Sequence, residues 1–191
     1  MWPTAKNCRP LTGKKSTNAI SRTRIDDRRN DYLPPSTPGF APMFAYLGQE
    51  GYCVNAQLRC GKDHCQKGTP EFLQETFQYT RRITKLPLLV RLDSGNDSAD
   101  NIRICEANQT DYLVKRNLRI ESLETWLATA KEYGPGCIKR EGKIVYMGSV
   151  MRRPKGFDKE RHLVYRVVER NILANGQILL TPEIEVDTYW T

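Results

Sequence analysis

The chain has 191 residues, 39% of them hydrophobic and 27% charged, which is enough to bury a core; no apolar run approaches the ~20 residues of a membrane-spanning helix, so an integral membrane protein is not expected. Thirty Lys and Arg against 22 Asp and Glu give a formal charge of +8, which suits a polyanionic partner. Six irregularly spaced cysteines do not make a disulfide framework, and the N-terminus lacks the continuous apolar stretch of a secretory signal, so an intracellular, cytoplasmic protein is expected.

Residues 1–38 mix Lys14, Lys15, Arg22, Arg24, Asp26, Asp27, Arg28, Arg29 and Asp31 with Pro34, Pro35 and Pro38. Neither helical nor strand periodicity is visible, so this segment is expected to be an irregular arm. From Gly39 the composition changes. Phe40 to Leu47 and Tyr52 to Leu58 flank Gly48-Gln49-Glu50-Gly51 and read as two antiparallel strands. Thr69-Pro70 reads as a helix start, with Thr69 as the cap, and Phe72, Leu73, Phe77, Thr80 and Ile83 form one face up to about residue 83. Leu88 to Leu92 is a short apolar run that ends in Asp93-Ser94-Gly95-Asn96-Asp97, a buried strand leading into a polar loop.

Asp97 or Ser98 can cap a short helix to about Asn108, and Tyr112 to Lys115 reads as the next strand. Ser122 can cap a helix carrying Leu123, Trp126, Leu127 and Ala130, which Gly134 stops; Trp126 falls on the apolar stripe and is expected in the core. Three strand-like stretches follow, Ile144 to Val150, Leu163 to Leu173 and Ile178 to Val186, with Asn175-Gly176 as a type I′ turn signal. The order predicts an α/β fold, a mixed sheet covered by helices.

Asp93 is the most informative residue, because ligands collect beyond the carboxyl ends of strands in open α/β sheets and a carboxylate there can hold magnesium. An Asp before Ser-Gly also simply starts turns. Asp97 and Asp100 read as cap and first-turn charges of the following helix. Cys60, His64 and Cys65 lack a convincing second ligand pair for zinc, and neighbours on an extended loop make a poor nucleophile and base. Lys115, Arg116 and Arg119 follow a strand end, with Arg81, Arg82 and Arg91 in the same region; together they could grip phosphates or form a solvated face.

Four blocks resemble a known family: Gly39-Phe40-Ala41-Pro42-Met43-Phe44-Ala45-Tyr46-Leu47-Gly48-Gln49-Glu50-Gly51-Tyr52, His64 to Phe72, Leu88 to Asp97 with its Arg-Leu-Asp-Ser-Gly-Asn-Asp, and Lys115-Arg116-Asn117-Leu118. In this order they are similar to the DDE transposases of the thirteen-eighty family of bacterial insertion sequences, over roughly residues 39–191. The resemblance implies an RNase H-like, retroviral-integrase-like fold, and three acidic residues that bind two Mg2+ ions for cleavage and joining of insertion-sequence DNA ends. It makes Asp93 the second acid, a catalytic and metal-binding residue, and Arg91, Lys115, Arg116 and Arg119 DNA-binding candidates. It implies a partial catalytic core over 39–135, and it likens 136–191 to a β-rich insertion of the C-terminal third.

The first acid of such a triad lies on a strand before the Gly39 block, where Ser21-Arg22-Thr23 echoes the family but Asp26, Asp27 and Asp31 sit among arginines. The third lies on a helix beyond the β insertion, with Tyr, Arg, Glu and Lys at fixed spacing, and no Tyr here heads that pattern. The expectation is therefore an incomplete sheet, an internal fragment inactive alone and prone to self-association through uncovered apolar surface and strand edges. The alternative is a non-catalytic DNA-binding or regulatory module retaining a basic surface.

Overall fold

The structure is a computed structural model that describes residues 18–21, 39–134 and 136–191. Among these residues nine strands form one sheet in the order β3-β2-β1-β4-β5-β9-β8-β7-β6. Strands β2 (Met43–Leu47) and β3 (Tyr52–Gln57) make the expected hairpin. Strand β4 (Leu88–Leu92) runs parallel to β5 (Asp111–Lys115) and carries the fully buried Val90.

The segment read as lacking a strand contains one. Strand β1 (Asn18–Ser21) fills the slot between β2 and β4, antiparallel to the first at Ile20↔Leu47 and parallel to the second from Asn18↔Leu88 to Ser21↔Arg91. A four-residue strand flanked on both sides gains its backbone pairing from its neighbours, so no alternation of its own is needed. Asp26, Asp27 and Asp31 lie outside the described residues.

Helix α1 (Thr69–Ile83) seats Phe72, Leu73 and Phe77 in the core. Its cap is Gly68, in the left-handed region at φ 74°, and not Thr69, whose hydroxyl instead donates to the Cys65 carbonyl at 3.2 Å. Helix α2 (Ala99–Ala107) is capped by Ser98, whose side chain accepts from the Asn101 amide at 3.3 Å. Ser122 caps helix α3 (Leu123–Tyr133) in the same way, and Trp126 is buried as expected.

The C-terminal strands β6 (Cys137–Arg140), β7 (Lys143–Arg152), β8 (Arg161–Ile172) and β9 (Ile178–Trp190) form an antiparallel block. It joins the rest of the sheet where β9 pairs with β5, at Val114↔Trp190 and Lys115↔Tyr189. The β8–β9 connection is not a type I′ turn. Gly176 N–H donates to the Leu173 carbonyl and Leu173 N–H to the Gln177 carbonyl, and of the loop residues only Gly176 has positive φ, at 85°. That is a three-residue loop closed by a glycine bulge.

The three α-helices of the described residues cover one face. The register Ile20↔Leu47 and Ile20↔Val90 carries that face across β1, and Val90↔Tyr112, Val114↔Trp190 and Tyr165↔Thr188 carry it on into the C-terminal block. On it Asn55 of β3 donates to Thr76 of α1, Tyr112 of β5 to Glu106 of α2, and Lys131 of α3 pairs with Glu169 of β8. Leu89 and Arg91 alternate to the opposite face, which carries no helix among the described residues.

Candidate functional site

Asp93 stands where β4 gives way to a single 3-10 turn, Ser94–Asn96, at the carboxyl end of the strand. One carboxylate oxygen accepts from the Asn96 side chain at 2.7 Å; the other makes no hydrogen bond among the described residues. The loop around it is tightly tied. Asn96 is buried and its Oδ1 accepts from Thr69 at 3.3 Å, while its carbonyl accepts from Asn101 at 2.9 Å. Cys65 donates to the Gly95 carbonyl at 3.1 Å and Gln66 to the Asp97 carbonyl at 3.2 Å. The chain just before α1 thus buttresses the loop after β4, a use for Thr69, Cys65 and Gln66 that the sequence pattern did not suggest.

Arg59 holds that buttress. Its buried guanidinium donates to three carbonyls, of Ala41, Cys65 and Lys67, at 3.3, 2.8 and 3.1 Å. Multiple fixed donors in a planar fork suit such a loop-building role. Cys60, His64 and Cys65 do not converge. Cys65 is spent on Gly95, His64 Nδ1 accepts from the Gln66 amide at 3.3 Å, and no group of three or more His, Cys, Asp or Glu is placed to hold a metal ion among the described residues.

Asp97 caps nothing. Its Oδ1 accepts from the Trp190 indole at 3.2 Å and its Oδ2 from the Asn117 amide at 3.1 Å. Asp100 is a surface partner of Arg103, at 2.9 Å.

The candidate DNA-binding cations divide into two groups. Lys115 is bound to Asp187 at 2.7 Å, the first rung of a ladder on the helix-free face in which Arg166 bridges Asp187 and Glu185, at 2.9 and 3.2 Å, and Arg170 bridges Glu185 and Glu183. The bond to Asp187 raises the Lys115 ammonium above its ordinary range. Burial alone would push the Asp187 carboxyl up, but Lys115 and Arg166 hold it below the usual range. Arg116 makes a two-bond ion pair with Glu121, whose carboxyl it lowers, and lies 5.6 Å over the Trp190 ring. In the structure Lys115 and Arg116 are thus engaged with carboxylates of the same chain. Arg91 and Arg119 are exposed and make no ion pair among the described residues.

Net charge follows the same division. Residues 1–38 hold eight Lys and Arg against three Asp, so they supply +5 of the formal +8, and residues 39–191 supply only +3. No helix among the described residues is long and apolar enough to cross a membrane.

The chain matches the family model described as transposase DDE domain group 1 over residues 34–182, a span that takes in β2 to β8 and Asp93. No curated protein shows significant similarity to it. Such domains serve DNA transposition, which requires contact with DNA, and they usually use a divalent metal. Asp93 fits one part of that need, a hard oxygen donor, but no group of three or more ligating side chains is placed to hold a metal ion among the described residues, which therefore do not complete a metal site. With well over half of its length matched, the chain belongs to the transposase DDE domain group 1 family.

Proposed function

We propose that the chain is the DDE domain of a transposase of the thirteen-eighty family of bacterial insertion sequences, with an RNase H-like core, and that it contributes the middle acid, Asp93, without a complete active site. The observation that carries this reading is the topology around Asp93. A three-strand antiparallel meander, β3-β2-β1, continues through the parallel strands β4 and β5, and Asp93 leaves the carboxyl end of β4 beside the strand that pairs with it in parallel, β1. That strand reads Asn-Ala-Ile-Ser and offers no carboxylate. One carboxylate does not hold two ions in place, so the domain by itself is inactive in strand transfer. The substrate class is insertion-sequence DNA ends, and strands 136–191 are the β-rich insertion of this branch.

The test is an assay of the purified chain with insertion-sequence end DNA and Mg2+. No cleavage or joining above background is expected, and Asp93→Asn should change nothing. Strand transfer abolished by Asp93→Asn would overturn the proposed inactivity and show a complete site.

A second reading, a DNA-binding module without catalysis, is favoured by the charge distribution, since +5 of the net charge lies before the Gly39 block. It predicts affinity for DNA that is independent of sequence and falls steeply with salt. Tight binding to one terminal sequence at high salt would contradict it.

A further inference from the structure

Asp93 and Asp97 lie in one loop, four residues apart, yet their carboxylates are used differently. Among the described residues Asp93 keeps one oxygen without a partner, whereas both oxygens of Asp97 are taken, by the Trp190 indole N–H at 3.2 Å and the Asn117 amide at 3.1 Å. The Asp97 carbonyl accepts a third bond, from Gln66 at 3.2 Å. These donors come from the end of β9, the loop after β5 and the chain before α1. Since Ser98 already caps α2, Asp97 is not needed at the helix end.

We infer that Asp97 is a positioning residue, which latches the Asp93 loop to β9 through Trp190 and to the loop after β5 through Asn117. Trp190 is a firm anchor, being buried, and its ring carries the Arg116 guanidinium that Glu121 fixes. A carboxylate suits the position, because two separate N–H donors need two acceptor oxygens. An amide in its place offers only one and turns its own N–H2 toward the other donor. The latch does not depend on the metal-ligand reading of Asp93, but its functional consequence rests on that reading.

The test uses the full chain and four variants, Trp190→Phe, Asp97→Asn, the double variant of these and Asp93→Asn. Trp190→Phe keeps an aromatic ring, though a smaller one, deletes the indole donor and leaves the charge near Asp93 unchanged; Asp97→Asn removes one acceptor. In each, amide hydrogen exchange over residues 93–98 should rise about fivefold, the loss of one ordinary hydrogen bond, and the double variant should exceed neither single variant. Exchange within β2, four strands away from β9 in the sheet, should stay as in the parent, while Trp190→Phe lowers the melting temperature because its ring is smaller. Mn2+ serves as the ion probe, read by paramagnetic broadening of the Asp93 and Ser94 amide signals. Its apparent dissociation constant should weaken about fivefold in Trp190→Phe, since a slackened loop presents the Asp93 oxygen in the right place less of the time. Unchanged exchange over 93–98, additive effects in the double variant, or unchanged Mn2+ binding in Trp190→Phe would overturn the inference. If Asp93→Asn leaves the broadening unchanged, the ligand reading of Asp93 falls, and the exchange measurement alone then decides the latch.

Discussion

Arg161 of β8 closes a two-bond ion pair on Glu106 of α2, Nε to Oε1 at 2.7 Å and Nη2 to Oε2 at 3.1 Å, across 55 residues of chain. Between them these elements also trap Phe157 of the β7–β8 loop, which lies 4.9 Å from the Arg161 guanidinium and 5.0 Å from that of Arg103. The Tyr112 hydroxyl donates to the same carboxylate at 3.2 Å. The C-terminal block is thereby fastened to the helical side of the core beside the β5–β9 seam, since Tyr112 and Arg161 lie two residues along from Val114 and from Leu163, the two residues that pair with Trp190.

This pairing sets an acid limit. Arg161 holds the Glu106 carboxyl below its ordinary range, Arg116 does the same for Glu121, and Arg170 for Glu185. A carboxyl lowered by folding stabilises the fold above its unfolded value, and the stabilisation disappears as pH falls through the folded value. The melting temperature should be flat near neutrality and drop below about pH 4.5. Glu106→Gln should lower stability at pH 7 by about 0.5–1 kcal/mol, a modest figure because the pair is partly solvated, and should shrink the acid drop. Thermal melts from pH 3 to 8 on both proteins check this; parallel curves would show that the pair contributes nothing.

Cys105 lies on α2 in the core, and burial pushes its thiol up to about 12. Cys53, Cys60 and Cys137 are exposed. With a thiol-specific chromogenic reagent at pH 8 the exposed cysteines should react within minutes, and Cys105 only after denaturant is added. Rapid native labelling of Cys105, located by peptide mapping, would show that α2 opens readily.

Gly148 of β7 lies beneath Tyr165 of β8, its register partner, so closely that a Cβ would stand 2.3 Å from the phenol oxygen. Tyr165 is fully buried, and its hydroxyl has no hydrogen-bond partner among the described residues. Gly148→Ala should therefore destabilise by about 1–3 kcal/mol through overpacking. Tyr165→Phe should be neutral or stabilising, since it deletes an unpaired buried polar group. Combining the two should recover part of the Gly148→Ala loss. Denaturant midpoints of the three variants decide the matter, and a full loss in the double variant would place the strain elsewhere.

The four cations proposed from sequence as DNA contacts should separate in one experiment. Arg91→Ala and Arg119→Ala remove exposed charges and should weaken binding to random-sequence duplex without changing the melting temperature. Lys115→Ala and Arg116→Ala break internal ion pairs and should lower the melting temperature with little specific effect on DNA. Equal DNA losses across all four at unchanged stability would return Lys115 and Arg116 to the binding surface.

What could be read in the sequence was local. Leu88 to Leu92 is legible as a strand because a buried parallel strand is apolar throughout, and α1 because Phe72, Leu73 and Phe77 repeat at helical spacing. Strand β1 has no such pattern and exists through its two neighbours, and the edge strand β6 exposes most of its residues and so shows no apolar face. At the candidate site, Asp93 at the end of an apolar run was visible. The role of Asp97 was not, because its partner Trp190 lies 93 residues away, and the ordinary meaning of an Asp before Ser-Ala is a helix cap. The partner of Lys115 was hidden for the same reason, since Asp187 lies far along the chain, whereas Glu121 stands only five residues after Arg116 in a loop whose path the sequence does not reveal.

The seam between β5 and β9 is only two residue pairs long, Val114↔Trp190 and Lys115↔Tyr189. Strands β1 to β5 are paired among themselves without help from the C-terminal block, and β6 to β9 likewise. A hairpin in the block can therefore lengthen, shorten or be exchanged over evolutionary time without altering any register in the first five strands, provided that the two seam pairs persist. Insertions and deletions among relatives should accumulate in the β7–β8 and β8–β9 connections, while the spacing from Asp93 to Lys115 stays nearly constant.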